Sequence, residues 1–289
     1  MKIEIANLTK EYKKTGKAIN SISLTIEGGA FGLLGDNGAG KTTLMRILTT
    51  LITPTSGTVS IGNIKLLKEN HDAIKRMIGY APQDAGIYPA LTVEETLDYL
   101  GGMCGLNKEK RREKSEQILA DLNLEEHRKK KNKSLSGGMK KRLAIAQALI
   151  SDPDVLIVDE PTAGVDPEER INIRNVLSRI SRDKLVLIST HVLEDVEAIC
   201  DKLCVIKKGN LKYSGTVEEM KEIVKNRVYE LSTDDENLIN GIEDRYIVTR
   251  KNYTSSKTII RFIGESNDEK VGSHYGATIE DAYIYINEQ

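Results

Sequence analysis

The sequence predicts an α/β fold in which helices cover both faces of a mostly parallel β-sheet, followed by a small α+β region. Short apolar strands alternate with helices between residues 31 and 207, which is the pattern of a parallel sheet with crossover helices. A glycine-rich turn joins one of these strands to a helix. After about residue 227 the pattern changes to short strands separated by loops rich in Asp, Asn and Ser. We therefore predict two domains, residues 1–220 and 221–289.

The N-terminal part predicts strands, because apolar side chains alternate with polar ones at period two. Helical spacing begins after Lys41 and recurs after Thr92, which forms a capping box with Glu95. Asp166 followed by Pro167 is a further helix start. The predicted helices are 42–51, one that begins at about 93, 108–122, 138–150, one that begins at 167, 192–198, 216–226 and 278–286. The predicted strands are 3–5, 22–26, 31–34, 57–62, 77–80, 155–158, 185–189, 203–207, 228–232, 246–250 and 257–263.

Composition excludes several classes of protein. The 289 residues include 42 Lys plus Arg against 43 Asp plus Glu, and this balance argues against a general nucleic-acid binder, which needs a basic excess. No apolar run approaches the ~20 residues that span a bilayer. The N-terminus has no signal-peptide core. Three cysteines without a CxxC pair do not predict a disulfide framework or a zinc site, so we expect a soluble cytoplasmic chain.

The segment GDNGAGKT, residues 35–42, fits the phosphate-loop pattern G-x-x-x-x-G-K-[ST] after an apolar strand and before a helix. In such a loop the backbone N–H groups point at phosphate oxygens, and the helix N-terminus adds its positive dipole. Lys41 is predicted to contact the β- and γ-phosphates and Thr42 to bind Mg²⁺. The remaining predicted phosphate-binding residues are Gly35, Asp36, Asn37, Gly38, Ala39, Gly40 and Thr43.

A second apolar strand, VLIVDE at residues 155–160, ends in two acids. The carboxyl ends of parallel strands meet at one edge of the sheet, which places Asp159 and Glu160 beside the phosphate loop. We expect Asp159 to hold the Mg²⁺ shell and Glu160 to act as the general base for the attacking water.

The motif LSGGM, residues 135–139, lies between these two segments, and in this order the three motifs resemble the nucleotide-binding subunit of an ATP-binding cassette (ABC) transporter. The resemblance covers residues 2–220 and implies a P-loop NTPase ABC cassette, with a RecA-like core, an antiparallel β part and a helical subdomain at about 84–153. Gln83 in YAPQ matches the glutamine loop, Asp166 in AGVD the D-loop, and His191 in STHVLEDV the switch histidine. Tyr12 resembles the residue that stacks on adenine.

The resemblance implies ATP and Mg²⁺ as cofactors and a site shared between two cassettes. It gives Gln83 a contact to Mg²⁺ or the attacking water, and it places His191 at the γ-phosphate. The resemblance implies that Ser136, Gly137 and Gly138 act on ATP bound to a second cassette, an identical copy in a homodimer. The signature commonly ends in Gln, whereas this chain has Met139, which cannot offer an amide hydrogen bond to the ribose.

The resemblance also implies a partner in the membrane. ATIEDAYIYINE, residues 277–288, resembles the closing helix of cassettes that serve bacterial drug, antibiotic and peptide exporters. We therefore expect an ATPase subunit at the inner face of the cell membrane, held there by a separate permease that docks near Ile87 and Tyr88. A soluble single-cassette ATPase of a cytosolic assembly machine remains the alternative, and neighbouring genes would discriminate the two.

Overall fold

The structure is a computed structural model that describes residues 1–14, 16–265 and 272–289. It divides into two compact units, residues 1–211 and 212–289. The domain boundary predicted between residues 220 and 221 lies within the second unit. Part of the Asp- and Asn-rich loop predicted after the last long strand, residues 266–271, lies outside the described residues.

The described strands and helices are as follows. The strands are β1 (Lys2–Tyr12), β2 (Gly16–Glu27), β3 (Ala30–Leu34), β4 (Ser56–Ile61), β5 (Ile64–Lys65), β6 (Ile78–Ala81), β7 (Val155–Asp159), β8 (Leu185–Thr190), β9 (Lys202–Lys207), β10 (Asn210–Thr216), β11 (Val228–Thr233), β12 (Ile247–Tyr253), β13 (Thr258–Ile263) and β14 (Ser273–His274). The α-helices are α1 (Lys41–Leu48), α2 (His71–Met77), α3 (Val93–Met103), α4 (Lys108–Asp121), α5 (Gly137–Leu149), α6 (Pro167–Ile180), α7 (Leu193–Ile199), α8 (Val217–Glu222), α9 (Glu236–Glu243) and α10 (Ile279–Glu288).

The antiparallel sheet of the first unit has the strand order β2-β1-β4-β5. Ile3 of β1 lies opposite Ile26 of β2 and Ile61 of β4, and all three are buried. Polar residues occupy the alternate positions of β1 and β2. The period-two pattern therefore reflects a sheet with one buried face, as the sequence predicts.

The parallel sheet of the first unit has the order β9-β3-β8-β7-β6. Every residue of β3, β7 and β8 is buried, which is why these strands are almost continuous apolar runs. The register pairs Asp159 at the end of β7 with Ser189 of β8, and Leu34 at the end of β3 with Thr190. The carboxyl ends of three strands thus meet at one edge, where the functional residues follow.

The predicted caps are present. Thr92 and Glu95 form the capping box of α3, with the Thr92 N–H donating to the Glu95 carboxylate at 2.7 Å. Asp166 caps α6 by accepting the Glu169 N–H at 2.9 Å, and Pro167 is its first residue. Helix α5 begins at Gly137, one residue before the predicted start, which is within the usual fraying of helix ends.

Two helices lie where the sequence predicted none. Helix α2 is short and buries only Ile74. Helix α9 occupies the Asp- and Asn-rich stretch that we predicted as a loop, and its first turn is capped by the Asp235 side chain, which accepts the Asn237 N–H at 2.9 Å. Polar composition misled the sequence interpretation here, because the segment also carries Leu238, Ile239 and Ile242 at helical spacing, and capping by Asp235 and burial of Ile242 stabilise the helix.

The second unit is α+β, as predicted. Its antiparallel sheet has the order β12-β13-β11-β14. On one face Tyr229, Ile260 and Phe262 form a core with Ile242 of α9. On the other face Arg261 of β13 binds Asp281 of α10 at 2.6 Å. Because alternate residues of β13 point to opposite faces, the two helices cover the sheet from both sides.

Candidate nucleotide site

The phosphate loop joins β3 to α1 in a backbone shape that requires glycine. Gly40, the N-cap of α1, has φ +113°, and a Cβ atom there would lie 2.4 Å from the Ala18 carbonyl oxygen. A Cβ at Gly35 would lie 2.3 Å from the Ile206 carbonyl oxygen. No side chain caps α1, and its first turn carries no acidic residue. The N–H groups at this helix start are therefore well placed for an anion.

A cavity of about 140 Å³ opens above this loop. It joins the loop to two residues that lie far away in the sequence, Gln83 after β6 and Glu160 after β7. Six of the eight predicted loop residues that follow Leu34 line it directly, together with Thr43. Its lining residues are Ala18, Asp36, Asn37, Gly38, Gly40, Lys41, Thr42, Thr43, Gln83 and Glu160.

Lys41 lies buried inside the loop. Its ammonium group donates to the carbonyl oxygens of Gly35 and Asp36, the latter at 3.2 Å, and lies 3.5 Å from Glu160 Oε1. The lysine therefore connects the phosphate loop to the acid at the end of β7. A buried cation in a glycine-rich loop is suited to the negative charge of a triphosphate.

Glu160 is buried and has φ +49°, in the left-handed region that a non-glycine residue rarely adopts. Its N–H donates to the Ser189 carbonyl oxygen at 3.1 Å. His191 Nδ1 lies 2.9 Å from Oε2, but no described residue forms a hydrogen bond to either carboxylate oxygen, so both keep acceptor capacity. A buried carboxylate with free acceptor positions can take a proton from a water molecule.

Asp159, the last residue of β7, is buried, and its Oδ1 accepts the Ser189 hydroxyl. Thr42 is exposed in the first turn of α1 and lines the same cavity as Gln83. Among the described residues no cluster of three or more His, Cys, Asp or Glu forms a protein-only metal site. Mg²⁺ usually binds one or two protein oxygen ligands beside phosphate and water. Thr42, Gln83 and Asp159 carry oxygen atoms of the kind that Mg²⁺ prefers, but only Thr42 and Gln83 line the cavity, so the predicted Mg²⁺ site stays a prediction.

The signature residues lie apart from this cavity within one chain. The Ser136 hydroxyl oxygen caps α5 by accepting the Met139 N–H at 3.2 Å, and Ser136 and Gly137 are exposed. Gly138 is buried because Glu169 of α6 packs against it, and a Cβ there would lie 1.8 Å from Glu169 Cγ. None of the three lines the phosphate cavity. That these residues contact ATP bound to a second cassette stays a prediction.

Two further predicted residues lie at the periphery. Tyr12 ends β1, is 37% exposed, and has Lys10 Nζ 5.2 Å from its ring centre. It does not line the phosphate cavity, which Ala18 reaches instead. Asp166 uses its carboxylate as the cap of α6. Their roles in nucleotide binding stay predictions.

Sequence reasoning missed a polar network behind the site. Asp195 of α7 is buried, accepts the Thr162 hydroxyl, and binds Arg174 of α6 at 2.5 Å. Ser189, which holds both Asp159 and the Glu160 backbone, was also missed. The sequence signals of these contacts are weak. Ser189 is a serine at the end of an apolar strand, and Asp195 is an acid four residues after His191.

A phosphate loop, a strand-end Asp–Glu pair, a glutamine, a switch histidine and a serine-capped signature helix together define an ATP-binding cassette. The family model described as "ABC transporter" matches residues 19–163, and the chain belongs to this family. It is an ABC ATPase and the ATP-binding subunit of an ABC transporter.

Proteins with similar sequences have names that describe ATP-binding proteins. The chain is 36% identical to "Uncharacterized ABC transporter ATP-binding protein YxlF" of Bacillus subtilis, over 86% of this chain and 81% of the relative. It is 36% identical to "Linearmycin resistance ATP-binding protein LnrL" of the same organism, over 75% and 70%. It is 38% identical to "Nod factor export ATP-binding protein I" of Burkholderia lata, over 72% and 68%.

The fold is similar to solved cassettes. One is the dimeric post-hydrolysis ATP-binding cassette MJ0796 bound to ADP and Pi. The match has a TM-score of 0.67 and 28% identity, and it covers 74% of this chain and 98% of that one. The predicted α/β cassette fold is thereby confirmed.

Proposed function

We propose that this subunit powers export of a drug, antibiotic or peptide through a separate membrane permease, by ATP-driven closure of two cassettes. The observation that carries the catalytic part is the Glu160 carboxylate, buried and with free acceptor positions, 3.5 Å from Lys41 in the phosphate loop. Residues 1–220 would serve as the cassette, with a helical subdomain at about 84–153, and residues 221–289 as a separate small domain.

In this proposal Glu160 accepts a proton from the water that attacks the γ-phosphate. Lys41 and the N–H groups of residues 35–43 bind the phosphates, and His191, beside Glu160, contacts the γ-phosphate. Bound Mg²⁺ would be held by Thr42, Asp159 and Gln83, and it supplies stabilisation of the charge that develops on the phosphate oxygens.

Closure of two cassettes supplies the missing half of the site. The exposed Ser136 and Gly137, at the N-terminal end of α5, would contact ATP bound to a twin cassette, and Asp166 would act there as the D-loop residue. A helix N-terminus is suited to a γ-phosphate. The dimeric form of the similar MJ0796 cassette supports this arrangement.

The permease would dock in a groove of about 500 Å³ on the same unit. Ile87 and Pro89 line it together with Ala144, and Lys133 and Lys140 lie at its margin. Tyr88 is exposed, and its ring makes an edge contact with Tyr99 at 5.7 Å between ring centres. We propose that a helix of the permease lies against this surface, hereafter the Ile87 groove, and holds the subunit at the inner face of the membrane.

Two relatives support export. One is named for linearmycin resistance and the other for Nod factor export. The second name states export, and the first states resistance to a compound, which export from the cell would provide. Export is therefore the direction that we propose for this chain.

The catalytic proposal is tested with Glu160→Gln. This variant should keep ATP binding, lose hydrolysis, and run as a nucleotide-bound dimer on a sizing column, because the amide cannot accept the proton. Glu168→Gln, an exposed acid in the first turn of α6, is the control and should behave as the unmodified chain. Full turnover by Glu160→Gln would disprove the general-base role.

The transport proposal is tested by affinity purification from membranes of the source organism. A copurifying multi-helix membrane protein is the expected result. Copurification with soluble proteins alone would instead favour the cytosolic assembly machine.

A further inference from the structure

Lys141 of α5 does not line the phosphate cavity, but it binds two residues that do. Its Nζ donates to the carbonyl oxygen of Gln83 at 2.7 Å and to that of Glu160 at 3.2 Å. Three separate segments therefore meet at one ammonium group: the signature helix α5, the segment after β6 and the end of β7. No motif of the sequence analysis included this lysine.

Lys141 also lies between the two cavities. It lines the Ile87 groove together with Gln83, and Gln83 and Glu160 line the phosphate cavity. The lysine and the glutamine thus form part of the wall that separates a groove for a partner from a cavity for phosphate.

The surroundings hold the ammonium group in place. Burial lowers the pKa of Lys141, while the nearby carboxylates of Asp84, Glu160 and Asp159 act in the opposite direction. An ammonium that is partly withdrawn from water requires other acceptors. The two carbonyl oxygens provide them, so this side chain is bound to the backbone and is not a solvated surface lysine.

Lys141 binds Glu160, whose backbone conformation is strained. Glu160 has φ +49°, and such a conformation persists only where the surroundings fix it from several sides. Its N–H is held by the Ser189 carbonyl oxygen, and its carbonyl oxygen is held by Lys141 and by the Ala163 N–H at 3.3 Å. Lys141 is the only one of these partners that also binds the Gln83 segment.

We propose that Lys141 is a positioning residue for ATP hydrolysis: by binding both carbonyl oxygens it holds Gln83 and the Glu160 carboxylate in one geometry. This inference rests on the proposed general-base role of Glu160. Because the signature serine Ser136 caps α5, the contacts of Lys141 also join the signature helix to Gln83 and Glu160.

The test separates turnover from nucleotide binding. Lys141→Met should lower kcat about tenfold or more, because a small displacement of a catalytic group has an effect of that size. The dissociation constant of a fluorescent ATP analogue should change by less than about twofold, because the phosphate loop is untouched. Lys141→Arg, which keeps a charged donor of similar length, should recover most of the lost turnover.

Lys110→Met is the matched control. Lys110 is an exposed lysine of α4 that lines neither the Ile87 groove nor the phosphate cavity, so its removal should leave kcat unchanged. The thermal unfolding midpoint of each variant, measured without nucleotide, reports any general loss of structure.

Several outcomes would overturn the proposal. Unchanged kcat in Lys141→Met would do so, and so would a loss of nucleotide binding and thermal stability that matches the loss of turnover. The proposed function fails separately, through full turnover in Glu160→Gln. If Glu160→Gln is inactive and Lys141→Met is fully active, the general-base role stands and only the positioning role is wrong.

Discussion

The position of the Glu160 carboxylate depends on a left-handed backbone conformation that no sequence motif specifies. Its left-handed conformation costs about 1–3 kcal/mol, which its neighbours must offset. The buried Ser189 and the half-buried Lys141 supply hydrogen bonds to its two backbone groups. The motif VLIVDE predicts which acid lies at the strand end, but the direction of its carboxylate depends on these contacts from β8 and α5.

Met139 is the residue at which the signature departs from its usual form. Its side chain is only partly buried, and its backbone N–H is the one that Ser136 caps. Met139→Gln therefore keeps the cap and adds an amide. We expect the KM for ATP to fall about two- to fivefold, the effect of one modest hydrogen bond.

This prediction is checked by steady-state ATP hydrolysis, with Lys140→Gln as control for an added amide at the next exposed position. The control should leave KM unchanged. An unchanged KM in Met139→Gln would show that the amide contact contributes nothing here.

At the scale of elements, α5 and α6 meet at Gly138. Glu169 packs over this glycine and binds Arg142 at 2.7 Å, with both charged groups largely buried. Arg142 also donates to the carbonyl oxygens of Leu122 and Asn123 at 2.9 and 2.8 Å. A signature glycine therefore has a packing role within its own chain, in addition to its proposed contact with a second cassette.

Gly138→Ala tests this packing role. The added methyl group would displace Glu169 and weaken its pairing with Arg142, so we expect about 1–3 kcal/mol lower stability toward unfolding. Gly137→Ala is the control, because a Cβ there meets only the Gly164 carbonyl oxygen at 3.9 Å. Chemical denaturation without nucleotide measures both variants, and equal stability of the two would contradict the packing role.

The elements also show what could be predicted from sequence. Buried strands such as β3 and β7 and capped helices such as α3 follow from local patterns, and so does the phosphate loop. Helix α9 was not predicted, because it is short, lies in an Asp- and Asn-rich stretch, and depends on packing against Tyr229 and Phe262. The contacts of Lys141 and Asp195 join segments that are distant in the chain, so a local pattern carries no signal of them.

At the scale of the whole molecule, the proposed attachment to a membrane is through the permease. Within the described part of the chain, no helix has the length and apolar character needed to cross a bilayer. The Ile87 groove is lined by apolar residues, among them Ile87 and Pro89, and by the three lysines Lys133, Lys140 and Lys141, which outnumber its one acid, Asp84. A permease helix with apolar residues and a carboxylate would match it.

Ile87→Asp should therefore release the subunit from membranes, because a charge on the groove floor would lose its hydration without gaining a partner. Its ATP hydrolysis in the isolated state should persist, since Ile87 does not line the phosphate cavity. Ile171→Asp is the matched control: Ile171 is an exposed isoleucine of α6, 55% accessible, and does not line the groove. Immunoblots of membrane and soluble fractions should place Ile87→Asp in the soluble fraction and Ile171→Asp with the membranes. If both variants stay on the membrane, a surface other than this groove binds the permease.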